Sequence, residues 1–241
     1  MESIIQRTSI SQQVMDHILN LVDRGELRPG DRLPPEREFA ASLGISRVPL
    51  REAISALCIL GVLEKRQGSG TTVASFSPET LGRILRTYTL LDNTLSGSLF
   101  EARMAVEATA ARLAAQNASP EDVERLSGLL SEMEAAIPPY VRGEKRLEDM
   151  LALDDLFHLQ CAAASHNQFY IQFVNIVHTA GTDLGLYEAV YGTDREKYYE
   201  SAADHRKVLD AIAAGDGRGA EDAMAAHIRA IQTNTERRGK D

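Results

Sequence analysis

Five of the six histidines lie beyond residue 150, and three of them have the spacing of metal ligands. Asp154 and His158, in "LALDDLFHLQ", are four apart, so on a helix they share one face and present an oxygen and a nitrogen to one ion. His205 and His227, in "ADHRKVLDAI" and "AAHIRAI", each stand eleven residues from Asp216, the centre of the turn expected between their helices. At a rise of ~1.5 Å per residue each lies roughly 16 Å from that turn, so in an antiparallel hairpin the two come level. Val208, Leu209 and Ile212 after His205, and Ala223, Met224 and Ile231 around His227, turn both rings toward an apolar interior. A lone histidine there is usually a neutral core residue. Two level with each other and a third beside an aspartate read as a metal site. One carboxylate and three imidazoles suit a first-row divalent ion, zinc first, with nickel, manganese and iron as alternatives. Four ligands close a tetrahedral zinc site but leave two positions open in an octahedral one, where a carboxylate or hydroxy acid can bind. An open ion can also activate water, so a metal-dependent hydrolase is the rival reading, although only Asp155 stands near the ligands as a general base.

A second group of residues suits a polyanion. "ISRVPLREAI", residues 45 to 54, sets Arg47 and Arg51 four apart on a helix whose other face carries Leu50, Ile54, Leu57 and Leu60. Ser46 is the expected N-cap, and Pro49 falls in the first turn, where a missing N–H costs little. Arg37 opens the preceding short helix and can reach the same groove of a duplex, where arginine pairs with guanine O6 and N7. In "RQGSGTT", Gly68 and Gly70 leave backbone free to approach a phosphate, and Lys65 and Arg66 add charge. The plain alternatives are arginines paired with Glu36, Glu38 or Glu52, and a hairpin turn that needs φ > 0.

These residues require particular elements. Helices are expected over 9–24, 36–42 and from Ser46 on, with the turn "LGIS" before the last and a two-stranded hairpin over 62–75. That order is a winged helix-turn-helix occupying residues 1–77. From 78 to 241 the pattern is helical throughout, at about 79–92, 97–117, 120–136, 144–164, 168–191, 194–214 and 218–236, an all-α antiparallel bundle. The fold class is mainly α. The net charge of −9 falls wholly on the second part, because residues 1–77 hold nine basic and nine acidic side chains. Acidity of the whole chain is therefore no argument against DNA binding by the first part. No apolar run reaches eighteen residues and the N-terminus has no signal-peptide pattern; Cys58 and Cys161 stand alone in helical patterns. A cytoplasmic protein with reduced thiols and no membrane contact is expected.

"LPPEREFAASLGISRVPLREAISALCILGVLEKRQGSGTTVAS", residues 33 to 75, resembles the winged-helix domain of the GntR transcription regulators, with Pro35 where that pattern has serine and Val48 where it has threonine. The resemblance implies that Arg37, Arg47, Arg51 and Gly68 read an operator. "EARMAVEATAARLAA", "DDLFHLQCAAASHN" and "DHRKVLDAIAAGDGRGAEDAMAAHI" resemble the FCD ligand-binding domain of the FadR subfamily. This implies metal ligands at Asp154, His158, His205 and His227, and an effector carboxylate on Arg103; a salt bridge from Arg103 to Glu107 is the competing reading. Asn167 matches an asparagine after the metal-bearing helix, as a cap or a ligand contact, and His178 either lines the pocket or packs. The resemblance thus predicts a regulator, not an enzyme: a homodimer on a palindromic operator in double-stranded DNA, released as a repressor by a small organic acid or sugar acid at the metal. A structural metal with a lipid-like effector is the other version.

Overall fold

The computed structural model describes residues 8–238 apart from 67, 69, 76, 92–94 and 193. The chain divides into two units, Met1–Leu81 and Gly82–Asp241, a division four residues beyond the one expected and inside a helix.

In the first unit, Ser9 caps α1 (Ile10–Asp23) by accepting from Gln12 N–H at 3.1 Å. There follow α2 (Glu36–Ser42), α3 (Arg47–Ile59) and an antiparallel hairpin of β1 (Leu63–Arg66) and β2 (Gly70–Val73), with Leu63 opposite Val73 and Arg66 opposite Gly70. Val14 and Ile18 of α1, Phe39 of α2, Leu50, Ile54 and Leu57 of α3, and Leu63 and Val73 of the hairpin close one core. Leu60 departs from expectation. It is the C-cap of α3 and half exposed, and Leu63, past the turn, takes the buried place. The hairpin also gains a neighbour: Leu33 N–H donates to Thr71 O and Val73 N–H to Asp31 O, both at 2.9 Å, so β2 is paired on both sides.

α4 (Pro78–Leu91) carries the chain across the division. The second unit continues with α5 (Leu95–Asn117), α6 (Pro120–Val141), α7 (Leu147–Ala164), α8 (Gln168–Asp183), α9 (Glu188–Tyr191), α10 (Lys197–Ala213) and α11 (Gly217–Arg238). α5 packs against α7, α8, α10 and α11. Its buried Ala108, Ala110, Ala111 and Ala114 are small enough for those helices to approach closely. Ser119 and Asp122 form a capping box at the start of α6, with Pro120 in its first turn.

The largest departures from the sequence reading lie in α6 and over 168–191. α6 runs five residues past 136, through Pro138 and Pro139. Burial of Ile137 and Tyr140 offsets the lost backbone bonds, and Tyr140 is held at both ends: its hydroxyl donates to Tyr191 O at 2.9 Å and its carbonyl accepts from Arg195 at 2.7 Å. The single helix expected over 168–191 is instead α8 and α9, separated where Gly185 adopts φ +67°, a conformation that ends a helix.

Candidate metal centre and nucleic-acid interface

α7, α10 and α11 bring Asp154, His158, His205 and His227 together in the interior, all four buried. The hairpin argument gives the correct register: His205 Nε2 lies 3.2 Å from His227 Nε2 and 3.2 Å from His158 Nε2. Asp154 completes the set, with Oδ1 at 3.6 Å from His205 Nε2 and Oδ2 at 3.8 Å from His158 Nε2. Two nitrogens bound tetrahedrally to zinc at ~2.05 Å stand about 3.3 Å apart, so the nitrogen spacing fits an ion of that size.

The outer nitrogens decide what the inner ones can do. His158 Nδ1 meets Glu107 Oε2, His227 Nδ1 faces Asp204 at 3.9 Å, and His205 Nδ1 lies 3.3 Å from Met133 Sδ. An imidazole that places its proton on Nδ1 toward such an acceptor keeps a lone pair on Nε2. Three lone pairs and a carboxylate then converge on one point. Burial lowers all three imidazoles, His158 to about 4, so each is neutral and ready to ligate without first losing a proton. Burial raises the Asp154 carboxyl, and its Oδ1 has no hydrogen bond. The donor set thus fits a divalent cation.

Arg103 makes the salt bridge to Glu107 that was the competing reading. Its side chain is buried; Nε donates to Glu107 Oε1 at 2.6 Å, Nη1 donates to the Tyr187 hydroxyl at 2.8 Å, and Nη2 reaches within 3.4 Å of His158 Nε2. His178 stands next to it, with Nε2 3.1 Å from Glu107 Oε1 and Nδ1 2.5 Å from Asp155 Oδ1. Burial and Arg103 disfavour charge on His178, but Glu107 and Asp155 outweigh them and raise it to about 9. Asn167 stands apart: it is exposed, and its side chain caps α8 by accepting from Phe169 N–H at 3.0 Å.

Glu107 is the residue that sequence reasoning undervalued. It touches Arg103, His158 and His178 at once, which holds its carboxyl well below the usual range despite burial. Its four-residue spacing from Arg103 was legible; the two histidines reach it only in three dimensions.

On the first unit, Arg37, Ser46, Arg47, Arg51, Lys65, Arg66 and Gly68 are exposed. Ser46 stands at the N-cap of α3 but makes no side-chain cap bond, because the third helical residue is Pro49, which has no N–H to offer. Gly68 and Gly70 have φ +80° and +83°, as a glycine wing requires, and the Arg32 guanidinium comes within 2.9 Å of where a Cβ on Gly70 would sit. Arg32 was not singled out for this face, whereas Glu36 was one of the three glutamates offered as partners of the arginines. Glu36 gathers the cations: Arg51 Nε at 2.6 Å, Lys65 Nζ at 3.0 Å and Arg47 Nη2 at 3.9 Å. Hydrogen bonds from Arg51 and Lys65 lower its carboxyl.

Comparison with known proteins agrees with both halves. Residues 10–73 match the family model for bacterial regulatory proteins of the gntR family, and residues 98–230 match the FCD domain. A protein of Escherichia coli K12 named for regulation of the L-lactate dehydrogenase operon is 32% identical over 99% of this chain and 91% of its own. The transcriptional regulator LutR of Bacillus subtilis is 31% identical over 88% of this chain and 94% of its own. Among solved structures, a GntR protein of Streptococcus agalactiae superposes with a TM-score of 0.64 at 28% identity, covering 92% of this chain and 99% of that one.

Proposed function

The chain belongs to the GntR family of bacterial regulatory proteins and is a metabolite-responsive transcription regulator with an FCD domain, and we propose that it is a cytoplasmic repressor released from its operator by a small organic acid bound at a metal ion. The relatives are regulators, and the metalloenzyme alternative finds no support among them. Asp154, His158, His205 and His227 would hold the ion, with zinc first among the candidates. Bound there, the ion supplies a Lewis-acidic position for a carboxylate.

The observation that carries this reading is the convergence of three imidazole nitrogens and one aspartate beside the buried guanidinium of Arg103. Charge supports it. With neutral ligand histidines, the carboxylates of Glu107, Asp154 and Asp155 exceed the cations Arg103 and His178 by one. A divalent ion turns that excess into one positive charge, which suits a monocarboxylate. The name of the E. coli relative makes hydroxy acids the first class to test.

On DNA, Arg37, Arg47 and Arg51 would read base edges, while Ser46, Lys65, Arg66 and the wing glycines Gly68 and Gly70 contact phosphates. A homodimer would match a palindromic site. Release by the acid requires ~3 to 5 kcal/mol of differential affinity between the binding and non-binding arrangements. Operator binding titrated with acids, on metal-loaded and chelator-stripped protein, tests the whole scheme. Release only when metal is present is expected; equal release without it would make the ion structural. Arg47→Ala should weaken operator binding more than random-DNA binding, and equal loss on both would remove its role as a base reader.

A further inference from the structure

The hairpin carries a further cation on the face turned away from the core. Strand alternation sorts its residues. Leu63, Thr71 and Val73 are buried, so Lys65 shares their face, whereas Glu64, Arg66, Gly70 and Thr72 belong to the other. Arg32, exposed on the segment that pairs with the free side of β2, stands opposite Thr72 and extends this outer face. Arg32, Thr72 and Glu64 thus form one row, and Gly70 and Arg66 stand opposite each other in the next.

Two features suit the Arg32 guanidinium to an anion. It is seated where the chain has no side chain: Nε and Nη2 come within 2.9 Å of the point that a Cβ on Gly70 would occupy. Side chains opposed on neighbouring strands start about 5 Å apart, so Arg66 flanks the same bare stretch from the other strand. The second feature is charge. Among the described residues Arg32 makes no ion pair, while Glu36 takes Arg47, Arg51 and Lys65, and Glu64 takes Arg66 at 3.2 Å and accepts from Thr72 at 3.3 Å. Two arginines and one glutamate leave this face one net positive charge, and Arg32 supplies it. The bonds from Leu33 N–H to Thr71 O and from Val73 N–H to Asp31 O fix the backbone around Arg32, so little freedom is lost when it meets a partner. A guanidinium so placed pairs best with the oxygens of a phosphate.

Building on the DNA-facing wing proposed above, we propose that Arg32 is a phosphate anchor: with Arg66 on the other side of Gly70, it holds one backbone phosphate of the duplex against the outer face of the hairpin. Gly70 leaves the room for both the guanidinium and the phosphate, and Lys65 serves the opposite face.

The anchor is tested on duplexes of arbitrary sequence, since a phosphate carries no base information. With full-length protein, the slope of log affinity against log salt is measured by fluorescence anisotropy on A·T-rich and G·C-rich duplexes of equal length. Arg32→Gln keeps a polar side chain and removes the charge. It should lower the slope by ~0.9 for each Arg32 on the duplex, and so weaken binding roughly eightfold per contact at about 0.1 M salt, equally on both duplexes. Arg32→Lys restores the charge and should return the slope to the wild-type value, which a merely structural role in the wing would not do. A slope unchanged by Arg32→Gln overturns the anchor, as does an equal loss in the Gln and Lys variants. A loss confined to the A·T-rich duplex overturns the phosphate assignment in favour of minor-groove reading. A wild type whose affinity for both duplexes is independent of salt overturns the DNA-facing reading of the whole wing, not of Arg32 alone.

Discussion

At the scale of single residues, the two polar sites are each organised by one glutamate. Glu107 sets the proton on His158 and anchors Arg103 and His178; Glu36 holds Arg47, Arg51 and Lys65. For Glu36 this means that the cations proposed to meet DNA carry an internal competitor. Glu36→Gln should release them, raise affinity for random DNA, and steepen the dependence of binding on salt by about one unit for each new phosphate contact. The ratio of operator to random-DNA affinity should fall, measured by titration at several salt concentrations. Weaker binding to both DNAs would mean instead that Glu36 serves only to hold the arginines in position. Val48, exposed on the first turn of α3, brings no hydroxyl to this face.

At the scale of elements, the buried histidine and aspartate cluster depends on helices that approach closely. Gly181 of α8 is buried, and a Cβ there would lie 2.5 Å from the Tyr187 hydroxyl. Tyr187, in the segment between α8 and α9, donates its place beside Arg103 to that absence of a side chain. Gly181→Ala should therefore displace Tyr187, lower the melting temperature of the second unit by the equivalent of ~1 to 3 kcal/mol, and weaken acid binding more than metal binding. Metal and acid affinities that stay unchanged together would show that Tyr187 has no part in holding Arg103. The break at Gly185 was missed because the apolar pattern of 168–191 continues across it, and periodicity alone does not register one residue of left-handed backbone. α6 was cut short for the opposite reason: two prolines signal a stop, and only the burial of Tyr140 shows why the helix continues.

At the scale of the molecule, the two units carry different titratable groups. When the metal is stripped, three buried imidazoles resist protonation in the folded second unit but titrate near 6.5 once unfolded. Stability should fall as pH drops below about 6.5, by about 1.4 kcal/mol per pH unit for each uncompensated proton; the raised Asp154 carboxyl offsets part of this. His178 acts on the other side. Raised to about 9, its contribution is complete below 6.5 and is lost as pH rises through 9. Scanning calorimetry of chelator-treated protein should thus give a maximum for the second unit near neutrality, and added metal should raise that maximum and steepen the fall on the acid side, where protons compete with the ion. A transition indifferent to pH between 5 and 9 would contradict the neutral, converging imidazoles. Sequence alone determined the order of elements, the helix-turn-helix with its glycine wing, and the convergence of Asp154, His158, His205 and His227, because helical period and hairpin symmetry are local rules that fix which side chains share a face and a level. Only tertiary structure decided which further groups Glu107 and Glu36 gather, His158 and His178 on the one and Lys65 on the other, beyond the arginine pairs that the sequence already offered. Their significance lies in what distant helices place against them, and no spacing along one chain encodes the distance between two faces.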